Sequence, residues 1–230
     1  MMYTAEPTAP QVSDVSAIIL AGGRSARMGV DKATLLFQGN TLLERTVKLL
    51  RAITRDIVIA GPIRPSLELD PLFVPDEISD AGPLSGLVTG LSHVAHDWTF
   101  VCGCDAPLLS PALVRYLLSL RDERYGAIVP DANGVPQPLC AVYHGSSLEH
   151  FRITLSATDP RNRSLQRALT RLSIRWVSER EARDFDPRLD TFVNVNTPQR
   201  WQAFLRDYAP EEAASPVRSR DRQTEADTDP

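Results

Sequence analysis

Short apolar runs alternate with amphipathic stretches through the first two-thirds of this chain, and the two periods predict strands and helices in turn. Residues 16–20 (SAIIL) read as a strand. Residues 42–53 repeat apolar side chains at helical spacing, at Leu42, Leu43, Val47, Leu50 and Ile53, with Thr41 placed to cap the helix start. Asp56–Ala60 (DIVIA) reads as a buried strand and Leu72–Val74 as a shorter one. Pro83 stands where a helix tolerates proline, at its first turn, and residues 84–94 continue from it. A strand at Trp98–Gly103, a helix over about 111–120 and a strand at 127–130 follow. Such alternation with short turns predicts an α/β fold, a mostly parallel open sheet with helices on both faces.

The pattern changes from Gly134 onward. Residues 135–144 read as an extended excursion, 146–155 and 164–172 as helices, 173–178 as a strand, and the extended segment 192–196 as the lead into a last helix, Pro198–Tyr208. Residues 209–230 carry charge, Ser, Thr and Pro with almost no large apolar side chains, which predicts disorder, as does the composition of residues 1–14. One folded domain over 15–208 is therefore expected.

Composition agrees with a single core. The 230 residues are 43% hydrophobic and 23% charged, enough for one soluble domain. No apolar run approaches the ~18 residues that span a bilayer, and the N-terminus lacks the regions of a signal peptide, so a cytoplasmic protein is expected. The net charge is −4, of which six acids and three arginines in the last 22 residues supply −3, leaving a nearly neutral body unsuited to nucleic acid or membrane. Cys102, Cys104 and Cys140 cannot all pair, and C-x-C lacks further metal ligands at suitable spacing, so buried thiols are expected. The four histidines sit in no metal or triad context.

The candidate chemistry begins where the first strand ends. Residues 17–32 read AIILAGGRSARMGVDK: an apolar strand opens into Leu20-Ala21-Gly22-Gly23, then Arg27 and Lys32. Glycines let backbone N–H groups approach a ligand closely, Arg27 offers a planar fork for phosphate oxygens, and Lys32 offers a mobile point charge. In an α/β sheet this composite lies at the carboxyl edge, where nucleotides bind, and it reads as a triphosphate cradle rather than a plain glycine turn with two solvated cations. It contains neither GxxxxGK[ST] nor GxGxxG, so it is not a P-loop or a dinucleotide fingerprint.

Two further strands aim residues at the same edge. Asp105 follows the strand in VCGCDAP, where a carboxylate facing a triphosphate can hold Mg²⁺; the plainer alternative is a turn or helix cap. Asp76 precedes Gly82-Pro83-Leu84-Ser85-Gly86, a helix start whose unpaired N–H groups can face a ligand. Asn194 and Asn196, in FVNVNTP, would share a face of an extended segment and present two amides; Asn196 or Thr197 would also cap the last helix.

The 20–32 string resembles LAGGxSxRMGxDK, the signature of molybdenum cofactor guanylyltransferases, nucleotidyltransferases with a Rossmann-like fold, and every fixed position of it is present, including Asp31. The resemblance covers about residues 16–207 and implies transfer of GMP from GTP to molybdenum-molybdopterin. It implies Arg27, Lys32 and Asp105 as catalytic, with Asp105 as the Mg²⁺ ligand. It further implies Leu20, Ala21, Gly22, Gly23, Lys32, Asp76, Gly82 and Asp105 around the nucleotide, with Asp80 the competitor to Asp76. Asn194 and Asn196 then fall on the molybdopterin side. Cofactor-insertion chaperones or molybdoenzyme precursors are implied as partners. Two departures stand out: relatives place an asparagine near the end of the second strand, where this chain reads Ile59-Ala60-Gly61-Pro62, and a histidine where it has Gln137 before Pro138. The first removes a nucleotide contact or leaves it to backbone atoms. Cytidylyl transfer, other phosphate nucleotidyl transfer, and a binding module without turnover are the rival readings; retention of both Lys32 and Asp105 speaks against the last.

Overall fold

A computed structural model describes residues 11–22, 29–76, 78, 82–213 and 219–220. Strand β1 (Val15–Leu20) is followed by a 3-10 turn, Lys32–Thr34, and a small hairpin of β2 (Leu36–Phe37) and β3 (Asn40–Thr41). Then come α1 (Leu42–Arg51), β4 (Asp56–Ala60), β5 (Leu72–Val74), α2 (Pro83–Leu91), β6 (Trp98–Gly103) and α3 (Pro111–Ser119). The second half holds β7 (Ala127–Ala132), β8 (Val135–Pro136), β9 (Cys140–His144), α4 (Ser147–Leu155), α5 (Leu165–Leu169) and β10 (Ile174–Val177). It ends in α6 (Glu179–Arg183), α7 (Pro198–Tyr208) and α8 (Pro210–Ala213). Among the described residues no helix is long and apolar enough to cross a membrane.

The main sheet runs β10-β7-β9-β6-β1-β4-β5, with β8 paired to β7. All pairings along that row are parallel except those of β9, which is antiparallel to both β6 and β7. Successive side chains of each strand feed opposite faces. Ala17, Ile19, Ile57, Ile59, Phe100 and Cys102 meet Leu43, Val47 and Leu50 of α1 and Leu113, Val114 and Leu117 of α3 on one face. Ile18, Val58, Val101 and Tyr143 meet Leu84, Leu87 and Val88 of α2 and Phe151 of α4 on the other. Helices thus cover both faces of an open, mostly parallel sheet.

Local chemistry starts these helices where the residues demand. Thr41 and Glu44 form a reciprocal capping box, the Thr41 N–H donating to Glu44 Oε2 at 2.8 Å and the Glu44 N–H to Thr41 Oγ1 at 3.2 Å. Thr197, not Asn196, caps α7, accepting the Arg200 N–H at 3.2 Å with Pro198 in the first turn. Over the segment expected to be extended, 192–196, Phe192 closes a 3-10 turn (Asp190–Phe192), Val193 leaves it in an extended conformation, and residues 193–196 join no strand. Their backbone pairs locally and with the loop after β6, so no strand neighbour is available.

Described residues on both sides of the expected 15–208 unit are docked on it. The Val12 N–H donates to Ile53 O at 2.7 Å, which holds the segment before β1 against the end of α1. At the other end Ala209 is fully buried against Trp201, Phe204, Leu205, Leu35 and Phe37, and Glu212 accepts the Gln38 N–H at 3.1 Å. Ser219 is buried and forms an antiparallel bridge with Leu35, and Arg220 pairs with Glu44. An apolar-face reading misses such docking because it uses a backbone bridge, a small residue and an ion pair. Deleting everything after Tyr208 is therefore expected to lower the melting temperature by about 2–6 °C, the size for losing one or two kcal/mol in a chain of this length. A thermal melt unchanged by the deletion would contradict this docking.

Candidate active site

Leu20, the last residue of β1, lies in register between Ala60 of β4 and Gly103 of β6. The strand order reverses at β1, since the chain moves outward through β4 to β5 and returns to β6 on the other flank. Open α/β sheets bind ligands in the crevice at such a point, outside the carboxyl ends of the strands. Of the described residues singled out from the sequence, Leu20, Ala21, Gly22, Lys32, Asp76 and Asp105 lie around it.

Backbone contacts shape the floor of this crevice. The Ala21 N–H donates to Ala60 O at 2.8 Å and the Cys104 N–H to Leu20 O at 3.1 Å. Gly61 has φ +145°, and a Cβ on it would fall 2.7 Å from both Ala21 C and Gly22 N. Only glycine lets the exit of β4 lie so close beneath Ala21-Gly22. This is the position of the departure after Ile59: a backbone-to-backbone contact occupies it.

Asp76 stands against the same loop. A Cβ on Gly22 would lie 2.6 Å from Asp76 Oδ2, and one on Gly86 would lie 3.3 Å from Asp76 Oδ1 and 3.1 Å from Leu20 Cδ2. The carboxylate fills the space left by two absent side chains, and its Oδ1 is buried without a partner among the described residues. Burial raises its pKa above the ordinary carboxylate value. Ser85 ties the neighbouring segment to α2, its hydroxyl donating to Ile78 O at 3.0 Å. Gly82 precedes Pro83 at the start of α2 with φ +73° and is exposed at the rim.

That half-buried carboxylate, its Oδ1 unpartnered among the described residues, has a pH signature. Because folding raises the pKa of Asp76, its contribution favours the fold at low pH and is lost as pH rises through the native value. At neutral pH the ionised group is a cost that a bound donor would relieve. Asp76→Asn is expected to raise the melting temperature of the ligand-free protein by about 1–3 °C at neutral pH, with the gain vanishing in acid. Melts of the two proteins across pH decide it: a variant less stable at neutral pH would show the carboxylate to be already satisfied.

Lys32 and Asp105, read from the sequence as separate groups, form an ion pair, Nζ to Oδ2 at 3.0 Å, with about a quarter of each side chain exposed. A Cβ on Gly103 would fall 2.5 Å from Asp105 Oδ1, so this glycine opens the space into which the carboxylate turns. Lys32 is held by its own turn: Asp31 caps it, accepting the Ala33 N–H at 3.0 Å. The loop of the two asparagines lies alongside, the Val195 N–H donating to Asp105 O at 3.2 Å. Val195 is buried, while Asn194 and Asn196 on either side are half-buried. Asn194 Nδ2 donates to Phe192 O at 3.4 Å, and Asn196 Oδ1 accepts from Arg200 at 3.5 Å. Gly23, Arg27 and the alternative Asp80 lie outside the described residues.

Arg64, in the loop after β4, was not anticipated. Its guanidinium is nearly buried and makes four bonds: Nε and Nη2 donate to the Asp31 carboxylate at 2.6 and 3.3 Å, Nη2 to Ala21 O at 2.7 Å, and Nη1 to Pro62 O at 3.0 Å. No spacing rule links an arginine in GPIRPS to an aspartate far upstream, so sequence patterns carry no signal for it.

Among the described residues no group of three or more His, Cys, Asp or Glu could enclose a metal. A magnesium ion needs less, one or two protein carboxylates with water and phosphate completing its shell. Asp105, turned into the gap beside Gly103, fits that sparse donor set. The three cysteines are buried free thiols, as expected, with burial pushing Cys104 and Cys140 up to about 12 and Cys102 well above its ordinary value; they are unsuited to nucleophilic or metal chemistry.

Comparison with known proteins shows the family and the fold. The MobA-like NTP transferase domain matches residues 17–181, which carry the end of β1, Lys32, Asp76 and Asp105. A probable molybdenum cofactor guanylyltransferase of Bacillus cereus is 31% identical over 206 residues, covering 87% of this chain and all of that protein. One of Bacillus anthracis is 31% identical, with 85% and 98% covered. Among solved structures, molybdopterin-guanine dinucleotide biosynthesis protein A of Archaeoglobus fulgidus superposes with a TM-score of 0.70 at 22% identity, covering 82% of this chain and 95% of that one. A 2-C-methyl-D-erythritol 4-phosphate cytidylyltransferase of Thermus thermophilus gives 0.57 at 22% identity, with 81% and 95% covered, and shares the fold. With a family model matched over most of its length and relatives about 30% identical from end to end, the chain belongs to the MobA-like NTP transferase family.

Proposed function

We propose that this protein transfers GMP from GTP to the terminal phosphate of molybdenum-molybdopterin, giving the guanine dinucleotide cofactor and pyrophosphate. The observation that carries the reading is the Lys32–Asp105 pair, held beside Ala21-Gly22 at the switch point of the sheet, in a chain whose curated relatives are named for that activity. The acceptor's own phosphate oxygen attacks the α-phosphorus, a P–O bond forms there, and the bond to the β-phosphate breaks. No protein nucleophile is required, so the residues act by positioning and by charge. The Ala21–Gly23 backbone, Arg27 and Lys32 offset charge on the departing pyrophosphate, and Asp76 and Gly82 line the nucleotide. Asp105 is the residue that would hold magnesium, which when bound supplies positive charge between the protein and the phosphate oxygens.

A glycine at position 23, where an alanine would narrow the site, favours the larger purine. The proposal includes a cytoplasmic setting and delivery of the product to cofactor-insertion chaperones or molybdoenzyme precursors. Pyrophosphate release by purified protein with molybdenum-molybdopterin and Mg²⁺, run with GTP and with CTP, tests it. Release with GTP alone supports guanylyl transfer, and preference for CTP sinks it.

Asn194 and Asn196 belong to the molybdopterin side in this reading, which is supported by the bond that ties their loop to Asp105, Val195 N–H to Asp105 O at 3.2 Å. Asn196→Asp would set a charge near an anionic acceptor. Molybdopterin binding should weaken while GTP affinity stays within about threefold, on the order of a screened rim contact. Separate titrations of the two ligands check this; loss of GTP binding alone would assign the loop to the other substrate.

A further inference from the structure

We propose that Arg64 is a positioning residue that sets the spacing between the Ala21-Gly22 backbone and Lys32. This rests on the nucleotide-binding reading of that edge, but Arg64 belongs to none of the motifs that led there. Its fork bonds Ala21 O on one side and both Asp31 oxygens on the other, at 2.6 to 3.3 Å. Ala21 is where the chain leaves β1, and Asp31 caps the turn that carries Lys32. One nearly buried side chain thus joins the two ends of the stretch that holds the proposed phosphate contacts.

The orientation it imposes is chemically useful. With its oxygen bound by Arg64, the Ala21 carbonyl is kept from turning toward a triphosphate, where it would repel phosphate oxygens. Asp31, a carboxylate close to the same site, is neutralised by the guanidinium instead of opposing an anionic ligand. A lysine could supply the charge but not the planar fork that reaches a carboxylate and a carbonyl together. Gly61 and Pro62 deliver the arginine: the close approach at Gly61 sets the loop beneath Ala21, and Pro62 O accepts the remaining bond.

The test separates positioning from mere stability. In Arg64→Met, the KM for GTP should rise and kcat fall, together lowering kcat/KM by about tenfold or more, as expected for losing charged hydrogen bonds. The KM for molybdopterin should stay within about threefold. The GTP-induced rise in melting temperature, measured with Mg²⁺, should shrink, and Arg64→Lys should recover only part of it. If Arg64→Met folds poorly because Asp31 is left unpaired, Arg64→Met/Asp31→Asn removes both charges. That double variant should regain stability without regaining GTP affinity. Wild-type GTP affinity or kcat/KM in either folded variant, or recovery of affinity together with stability, overturns the proposal. The melting readout needs no turnover. A wild type shifted by GTP that releases no pyrophosphate refutes the transfer reading and leaves the clamp to be decided by the variants' shifts; a wild type shifted by no nucleoside triphosphate refutes both.

Discussion

Asp105→Ala is expected to remove nucleotidyl transfer almost entirely, by roughly a thousandfold or more, while the protein stays folded. The side chain is partly exposed and turns into a gap kept open by Gly103, so its loss leaves no buried cavity. The neighbouring loop is held by the backbone carbonyl of residue 105, which alanine retains. Activity should therefore fall without a matching change in melting temperature. Turnover near the wild-type rate in saturating Mg²⁺ would show that the carboxylate holds no metal and only partners Lys32.

Lys32→Ala should be the second most damaging change, lowering kcat by several hundredfold, from a loss of about 3–4 kcal/mol of transition-state stabilisation. The pairing with Asp105 sharpens the expectation. Groups that act as a unit are not additive, so Lys32→Ala/Asp105→Ala should fall little below Asp105→Ala alone. Single-turnover measurements separate this from a binding effect. An unchanged rate for Lys32→Ala would leave the lysine as a counter-ion with no part in the chemistry.

Much of this architecture was legible in the chain because local chemistry and burial agree. Thr41 and Glu44 announce α1, and its apolar positions are those packed on the sheet. The strands DIVIA and WTFVCG form where their apolar runs stand. The convergence of Gly22, Asp76 and Asp105 follows from one rule, that parallel strands deliver their carboxyl ends to one edge. What resisted reading depends on partners distant in sequence. The direction of β9 is set by pairing with both β6 and β7, which a run of apolar residues does not encode. The burial of Ser219 depends on a backbone bridge to Leu35. Arg64 resembles any solvated arginine until the fold sets Ala21 and Asp31 on either side of it. Asn194 and Asn196 were expected on an extended segment, and what fixes their loop is the 3-10 turn before it and the cap of α7 after it.

The most direct test of the account follows the α-phosphate. GTP labelled there, incubated with purified protein, Mg²⁺ and molybdenum-molybdopterin, should yield the label in a molybdopterin dinucleotide and leave the released pyrophosphate unlabelled. Label recovered in free GMP, or no transfer to the pterin at all, would contradict attack by the acceptor phosphate on the α-phosphorus.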